Sequence, residues 1–275
     1  MSKRSVDEFY CRVKHLFAET LTGGHDSDRP WEAVSTLQRM GSRIVFDKAK
    51  SWCSSSVALK RNRAASILSQ LRRPLKPRPE FASTSEPIFR DESFELVKGM
   101  IKQEQNTQAL QAQIFAFGHL DNPDAVPLLL PYIDHPDEDI RYALAFTLGS
   151  LHMHPDSTQA LSKLSGDMDK DVRDWAIFGL GVLGNADSEE LRQLLLAHLD
   201  DPFLNARIES AASLGKRRDA RLAAPLIRLL RRDGPLSGLI EATRALLEMD
   251  EYPPDWYAKE YIAALEAKFS AIAAN

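Results

Sequence analysis

The chain has 275 residues and only two cysteines, Cys11 and Cys53. Two are too few for a disulfide framework and fit a reducing compartment. No apolar run approaches the roughly 18 residues that a membrane span needs. The opening residues, Met1-Ser2-Lys3-Arg4-Ser5-Val6-Asp7-Glu8, turn acidic where a signal peptide would be apolar. A cytoplasmic protein with no membrane partner is therefore expected. Valine, isoleucine and threonine nowhere alternate with polar residues at strand period, so no sheet is predicted. The phosphate-cradling Gly-x-Gly-x-x-Gly and P-loop patterns are missing, as is the Gly-x-Ser-x-Gly nucleophile elbow. The serine-rich stretch 51–56 around Cys53 has no paired histidine to activate the thiol. His152-Met153-His154 places two imidazoles at i, i+2, which on a helix face different ways, and no cysteine joins them. No metal, no other cofactor and no catalytic residue is expected.

What the chain does have is a repeated phrase. Asp139-Ile140-Arg141-Tyr142-Ala143-Leu144-Ala145-Phe146-Thr147-Leu148-Gly149 returns as Asp171-Val172-Arg173-Asp174-Trp175-Ala176-Ile177-Phe178-Gly179-Leu180-Gly181. A weaker copy runs from Asn205 through Arg207 and Glu209 to Gly215. The three arginines are 32 and 34 residues apart. A period of this size signals stacked supersecondary units, which build long gripping surfaces more readily than enzyme pockets. Within each copy the apolar residues fall on one helical stripe: Ile140, Leu144, Leu148 and Leu151, then Val172, Ala176, Leu180 and Leu183. Asp139 and Asp171 suit a helix start. Ala176, Gly179, Gly181 and Ala211 are small enough for a neighbouring helix to approach closely.

A second kind of helix lies between the copies, over 124–133, 189–199 and 220–230. Pro127 and Pro225 sit in first turns, where a missing N–H does no harm. Turn chemistry at His135-Pro136-Asp137, Gly184-Asn185-Ala186-Asp187 and Asp200-Asp201-Pro202 joins the two kinds. The fold class predicted is all-α, built from two-helix hairpins.

The pattern Asp-x-Arg-x-x-Ala-x-x-x-Leu-Gly, preceded by a helix such as Ala-Val-Pro-Leu-Leu-Leu, resembles the bacterial HEAT repeat, also called the phycobilin-lyase-type HEAT repeat. The resemblance is strong over 107–230. It weakens towards the N-terminus, where Trp31–Gly41 and Arg61–Leu71 fit the second-helix slot. Asp171-Val172-Arg173-Asp174-Trp175-Ala176-Ile177-Phe178 is most similar to YibA-type proteins, some of which serve as immunity proteins against Rhs polymorphic toxins. The resemblance implies an α-solenoid, a right-handed superhelix of stacked hairpins whose second helices line a concave face. It implies N-terminal helices and a degenerate repeat over 1–71, a repeat core over 91–249 and a capping helix over 250–275. It also implies a monomeric, non-enzymatic module for a protein partner, with a basic toxin domain as one such partner. Bilin lyase-like or glycosylase activity and a structural adaptor role stay open as alternatives.

Between the first two segments lies 72–90, basic and proline-rich, with no apolar periodicity. It reads as a loop or linker, either a flap that touches the partner or a simple insertion. Charge is divided unevenly along the chain. Residues 1–90 hold 17 Lys+Arg and 9 Asp+Glu, whereas 91–275 hold 18 and 30. An acidic half steers a basic partner and repels nucleic acid, unless its carboxylates merely occupy turns and caps. The best basic cluster, Lys216-Arg217-Arg218 with Arg221, Arg228, Arg231 and Arg232, is broken up by helix spacing, so nucleic acid is an unlikely partner.

Two residue sets follow. Asp139, Arg141, Asp171, Arg173 and Arg207 recur at one helix position and suit a polar ladder between repeats. Tyr142, Asp174, Trp175, Phe178 and Glu209 combine aromatic and acidic character, the makings of a partner-binding patch. Phe146 and Phe178, one repeat apart, fit either that patch or the core.

Overall fold

A computed structural model describes residues 3–22, 28–73, 86–250 and 256–273. Fifteen α-helices account for most of them, and the one extended pairing among the described residues is an isolated bridge between Arg72 and Pro87. By its internal packing the chain divides into two compact units, Met1–Thr147 and Leu148–Asn275.

The first unit holds α1 (Lys3–Glu19), α2 (Arg29–Met40), α3 (Arg43–Trp52), α4 (Ala58–Ser69), α5 (Arg90–Ile101), α6 (Thr107–Leu120), α7 (Val126–Leu129) and most of α8 (Glu138–Ser150). α1 pairs with α2, α3 with α4 and α5 with α6, while α2, α4 and α6 stack in succession. The core is aliphatic and aromatic, with Leu37, Phe46, Ile67, Leu68, Ile114 and Phe117 almost fully buried. Sharp turns join the helices. Gly41 ends α2 in the left-handed region, at φ 39°, where a side chain would run into the Arg72 carbonyl. Ser42 and Asn106 then cap α3 and α6 through side-chain oxygens. The helix expected over 124–133 is broken: α7 is four residues long, flanked by 3-10 turns, with Pro127 and Pro131 removing backbone donors.

The ends of the proline-rich segment are tied together. Arg73 N–H donates to the Glu86 carbonyl at 2.8 Å, and Ile88 N–H to that of Leu71 at 2.9 Å. The rest of that segment, 74–85, lies outside the described residues.

The second unit holds α9 (Pro155–Leu164), α10 (Lys170–Phe178), α11 (Glu189–Ala197), α12 (Leu204–Lys216), α13 (Ala223–Asp233), α14 (Ser237–Leu247) and α15 (Ala258–Ala273). Each odd-numbered helix up to α13 pairs with the next, and α10, α12 and α14 stack; α15 packs on α13 and α14. α9 had no separate expectation in the sequence, because Pro155 reads as a helix end. It is a helix start: Pro155 occupies the first turn, and the His154 imidazole accepts the Asp156 N–H at 3.2 Å.

The helix-start reading of Asp171 is corrected in its detail. The cap of α10 is Asp169, whose carboxylate accepts the N–H groups of Asp171 and Val172. Asp171 follows in the first turn, where the dipole still favours it. Asp137 likewise receives the Asp139 N–H at 2.9 Å. α10 runs on into one π-helical turn over Gly179–Leu183, closed by Gly184 N–H on the Gly179 carbonyl at 3.0 Å.

Candidate functional site

The repeat arginines do one job in several hairpins. Arg173 donates through Nη1 to the carbonyls of Asp167 and Met168, both at 3.0 Å, and forks onto Asp201 at 2.9 and 3.0 Å. Arg207 donates to the carbonyls of Asp201 and Pro202 and forks onto Asp233 at 3.3 and 3.0 Å. Arg61 repeats the pattern, with the Ser55 carbonyl at 2.7 Å and a fork onto Glu104 at 2.8 and 2.7 Å. Arg141 donates to the carbonyls of His135 and Pro136 at 2.8 and 3.1 Å. Each guanidinium thus closes its own turn, and for Arg61, Arg173 and Arg207 the planar fork reaches a carboxylate of the following hairpin.

The carboxylates that meet these forks are Glu104, Asp201 and Asp233. Asp171 pairs with Lys170 at 2.8 Å instead, and Asp139 is exposed. The sequence did carry a signal for two of these partners: Glu104 and Asp201 each stand six residues before a repeat position, at 110 and 207. Burial alone would raise the pKa of Glu104. Arg61, the Asn106 N–H and Gln113 reverse that and hold it down at about 2. Asp201 is likewise held below its ordinary value, by Arg173 and the Phe203 N–H against the effect of burial.

The acidic and aromatic residues form a different surface. Asp174 and Trp175 lie on α10 and Glu209 on α12, all half-buried. Trp175 meets Phe178 edge-on, with centroids 5.6 Å apart. Burial raises the pKa of Asp174; Asn205 opposes this and Asp171 adds to it. One Asp174 oxygen, Oδ1, is buried without a hydrogen-bond partner. Burial also pushes Glu209 up to about 7, with the nearby Asp174 charge adding to the shift. Neither carboxylate has an ion-pair partner among the described residues. Two half-buried acids on successive second helices, neither in a direct ion pair and only Asp174 feeling the charge of Lys170, make an acidic patch next to aromatic surface.

Tyr142 belongs to the first unit. It lies against Phe115, which also packs edge-on against Phe146 at 5.3 Å. Phe146 and Phe178 are both half-buried, so each belongs partly to the core and partly to the surface.

The Glu209 shift has a thermodynamic consequence. The ordinary value is 4.5 and the folded value about 7, so between them the folded chain holds a proton that the unfolded chain has released. The associated stability is complete below the ordinary value and is lost as pH rises through the folded one. Glu209→Gln should therefore raise stability at pH 8 by about 1–2 kcal/mol, reduced from the full shift by solvent screening. It should change little at pH 4. Thermal melts of both proteins across that range are the check, and equal pH dependence in the two would refute the assignment.

Of the basic cluster, Lys216, Arg217, Arg221, Arg231 and Arg232 are committed internally, while Arg218 and Arg228 are exposed. Lys216 donates to the carbonyls of Val182 and Gly184, and Arg217 to those of Leu180, Gly181, Ser213 and Ala186. These groups satisfy the π-turn and the loop after it, which leave carbonyls without helical partners. Arg221 engages Asp219 and Glu189, Arg231 engages Glu266, and Arg232 engages Asp233. His152 lies 3.1 Å from the Gly149 carbonyl, so it and His154 serve helix ends. Burial pushes the Cys53 thiol up to about 11, the opposite of an activated nucleophile.

Helical hairpins stacked in register, with a recurring arginine that clamps its own turn, define a helical-repeat protein. The chain belongs to the HEAT-repeat family, whose pattern matches residues 95–181 and 158–248, together more than half of its length. Among solved structures, YibA of Escherichia coli is similar at 20% identity with a TM-score of 0.68, covering 97% of each chain. The CpcE–CpcF complex of phycocyanin lyase from Nostoc sp. PCC7120 shows 15% identity and a TM-score of 0.47, covering 93% of this chain and 94% of that one. Human deoxyhypusine hydroxylase in complex with glycerol shows 15% identity and a TM-score of 0.39, covering 98% and 100%. At these identities the likeness concerns the fold. No curated protein matches the chain. No helix among the described residues is long and apolar enough to cross a membrane.

Proposed function

We propose that the chain is a non-enzymatic binding module that holds a basic protein partner on the second-helix face of its C-terminal unit. The observation that carries this reading is the Asp174–Glu209 pair. Neither acid makes a direct ion pair among the described residues, each is drawn towards its neutral form by burial, and Trp175 and Phe178 supply flat apolar surface beside them. A lysine or arginine brought in by a partner would return Glu209 to its charged form and gain a charge-assisted hydrogen bond. Aromatic anchors beside a desolvated charge have the composition of a binding hot spot. The resemblance to YibA-type proteins makes a basic toxin domain the first partner to test, with its active cleft blocked in the complex. Five of the seven cations of 216–232 are engaged internally, which weighs against the alternative of a duplex-binding glycosylase, which needs them for phosphates.

The test is affinity purification of the full chain from its native host, followed by titration of the purified partner. Asp174→Lys combined with Glu209→Lys should weaken binding at least tenfold and flatten its dependence on salt. Asp174→Asn with Glu209→Gln, which keeps the shape, should lose less affinity but the same salt response. Unchanged affinity and salt response in both double variants would show that this face is not the interface.

A further inference from the structure

The first unit carries a groove of opposite character. It is a hollow of about 430 Å³ over α2, α4 and α6. Trp31, Ser35 and Gln38 line it from α2; Phe115 and His119 stand on the α6 side. Between them α4 contributes the short side chains Asn62, Ser66 and Ser69. In a chain with 27% charged residues, no Asp, Glu, Lys or Arg lines this hollow. His119 is held below its ordinary pKa by desolvation and by Arg72, and so is neutral at physiological pH.

The polar groups here are set to meet a ligand. Gln38 Nε2 is fixed on the Ser66 carbonyl at 2.8 Å, and Asn62 Nδ2 on that of Gln108 at 2.7 Å. Their orientations are thereby fixed; the Gln38 amide oxygen is left as an acceptor, while that of Asn62 already accepts from Arg63 Nη1 at 3.3 Å. The Ser35 hydroxyl and the Gln70 amide make no hydrogen bond among the described residues. A side-chain amide presents a donor and an acceptor side by side, the same pair a peptide bond offers. Trp31 is 50% exposed, yet its ring is held in place by the Arg63 guanidinium, 4.2 Å from its centroid. Arg63 is itself anchored on the Thr20 carbonyl at 3.0 Å.

Two features select the ligand. A charged ligand would lose water against a neutral lining, and the neighbouring Arg63 is already engaged by the Trp31 face, the Thr20 carbonyl and the Asn62 amide oxygen, so the desolvation is costly. The lining crosses three successive helices, whose axes lie about 8–10 Å apart in ordinary packing. A ligand that reaches from Trp31 to Phe115 therefore spans about 16–20 Å, the length of five or six extended residues at roughly 3.3 Å each. We propose that this groove binds an extended, uncharged stretch of polypeptide, with a proline or aromatic ring laid against Trp31. A rigid aromatic wall with neutral hydrogen-bonding groups is how extended proline-bearing segments are gripped elsewhere. The site lies in the first unit and does not rest on the Asp174–Glu209 reading.

The probe is a display library of random linear heptapeptides, selected on the immobilised full chain. Enriched sequences are then synthesised with both ends blocked and titrated in solution. The enriched set should be poor in Lys, Arg, Asp and Glu and rich in proline or aromatic residues. Binding should fall at least tenfold in Trp31→Ala and in Ser66→Asp, and should be unchanged in Asp174→Asn with Glu209→Gln. Far-ultraviolet melts confirm that the variants fold; if Ser66→Asp does not, Ser35→Asp at the groove wall takes its place. The proposal is overturned by an absence of enrichment, by selection of charged sequences, or by binding that ignores the groove variants. Quenching of tryptophan emission by maltohexaose, abolished in Trp31→Ala, would make the groove a glycan site and also overturn it.

Discussion

Arg173→Ala is expected to cost about 3–5 kcal/mol, because it leaves the Asp201 charge buried without its partner. The Asp201 side chain is only 5% exposed, and Arg173 supplies both arms of its fork. Only the Phe203 N–H and the His198 ring remain to Asp201 once the guanidinium is gone. The same change leaves the carbonyls of Asp167 and Met168 without the Nη1 donor. Arg207→Ala should be milder, since Arg232 also reaches Asp233. Lys170→Ala, which breaks the exposed pair with Asp171, should cost under about 1 kcal/mol.

The pH dependence separates this account from simple loss of packing. In the parent chain Asp201 lies below its ordinary value of 3.8. Its contribution is therefore present above that value and is lost as pH falls through the folded one. In Arg173→Ala burial is opposed only by the Phe203 N–H and the His198 ring, so the same group rises and protonation then relieves the folded state. The stability gap between parent and variant should be widest near pH 7 and narrow towards pH 3. Denaturant melts at the two pH values measure it, and a gap that is constant with pH would mean the arginine acts through its apolar stem alone.

The same clamp explains why the fold is readable from sequence and the site is not. A helix that must stack on its neighbours keeps its stripe, its turn residues and its arginine at a fixed period, so each repeat restates the others. Local cues mislead where one residue serves two ends. Pro155 looks like the end of a helix and begins α9; Asp171 looks like the cap, which Asp169 supplies. The acids that complete the ladder escape a local reading because they lie 26 to 28 residues beyond Arg173 and Arg207, across a hairpin. The Asp174–Glu209 pair can be suspected from composition, but the burial that shifts both acids comes from packing between α10 and α12. The groove over α2, α4 and α6 leaves no mark in the pattern, being made of scattered uncharged residues, two of its three helices lying in the degenerate N-terminal repeats. Its neutral lining differs in chemistry from the acidic patch of the other unit.

The closing glycine of the repeat phrase makes the second large prediction. Gly149 lies against Gly179, Gly181 against Ser213 and Gly215 against Ala242, so successive second helices touch through the residue at which the motif has no side chain. A Cβ added at Gly215 would lie 2.6 Å from the Ala242 Cα and 2.9 Å from its Cβ. Backbone cannot rotate away as a long side chain can, so α12 and α14 must separate. In an open helix, glycine to alanine gains about 1 kcal/mol. Gly99 on α5 has nothing within 4 Å of the added methyl, and Gly99→Ala should show that gain. At Gly215 the gain is overwhelmed by overpacking, for a net loss of about 2–3 kcal/mol. The same chemical change thus carries opposite signs at two helical glycines. Ala242→Gly in the Gly215→Ala background should restore only part of the loss, because it removes the Ala242 methyl and leaves the backbone behind it in the way. Melts of the four proteins decide it: stabilisation by Gly215→Ala, or no rescue by Ala242→Gly, would show that the stacking of α12 on α14 does not depend on this close approach.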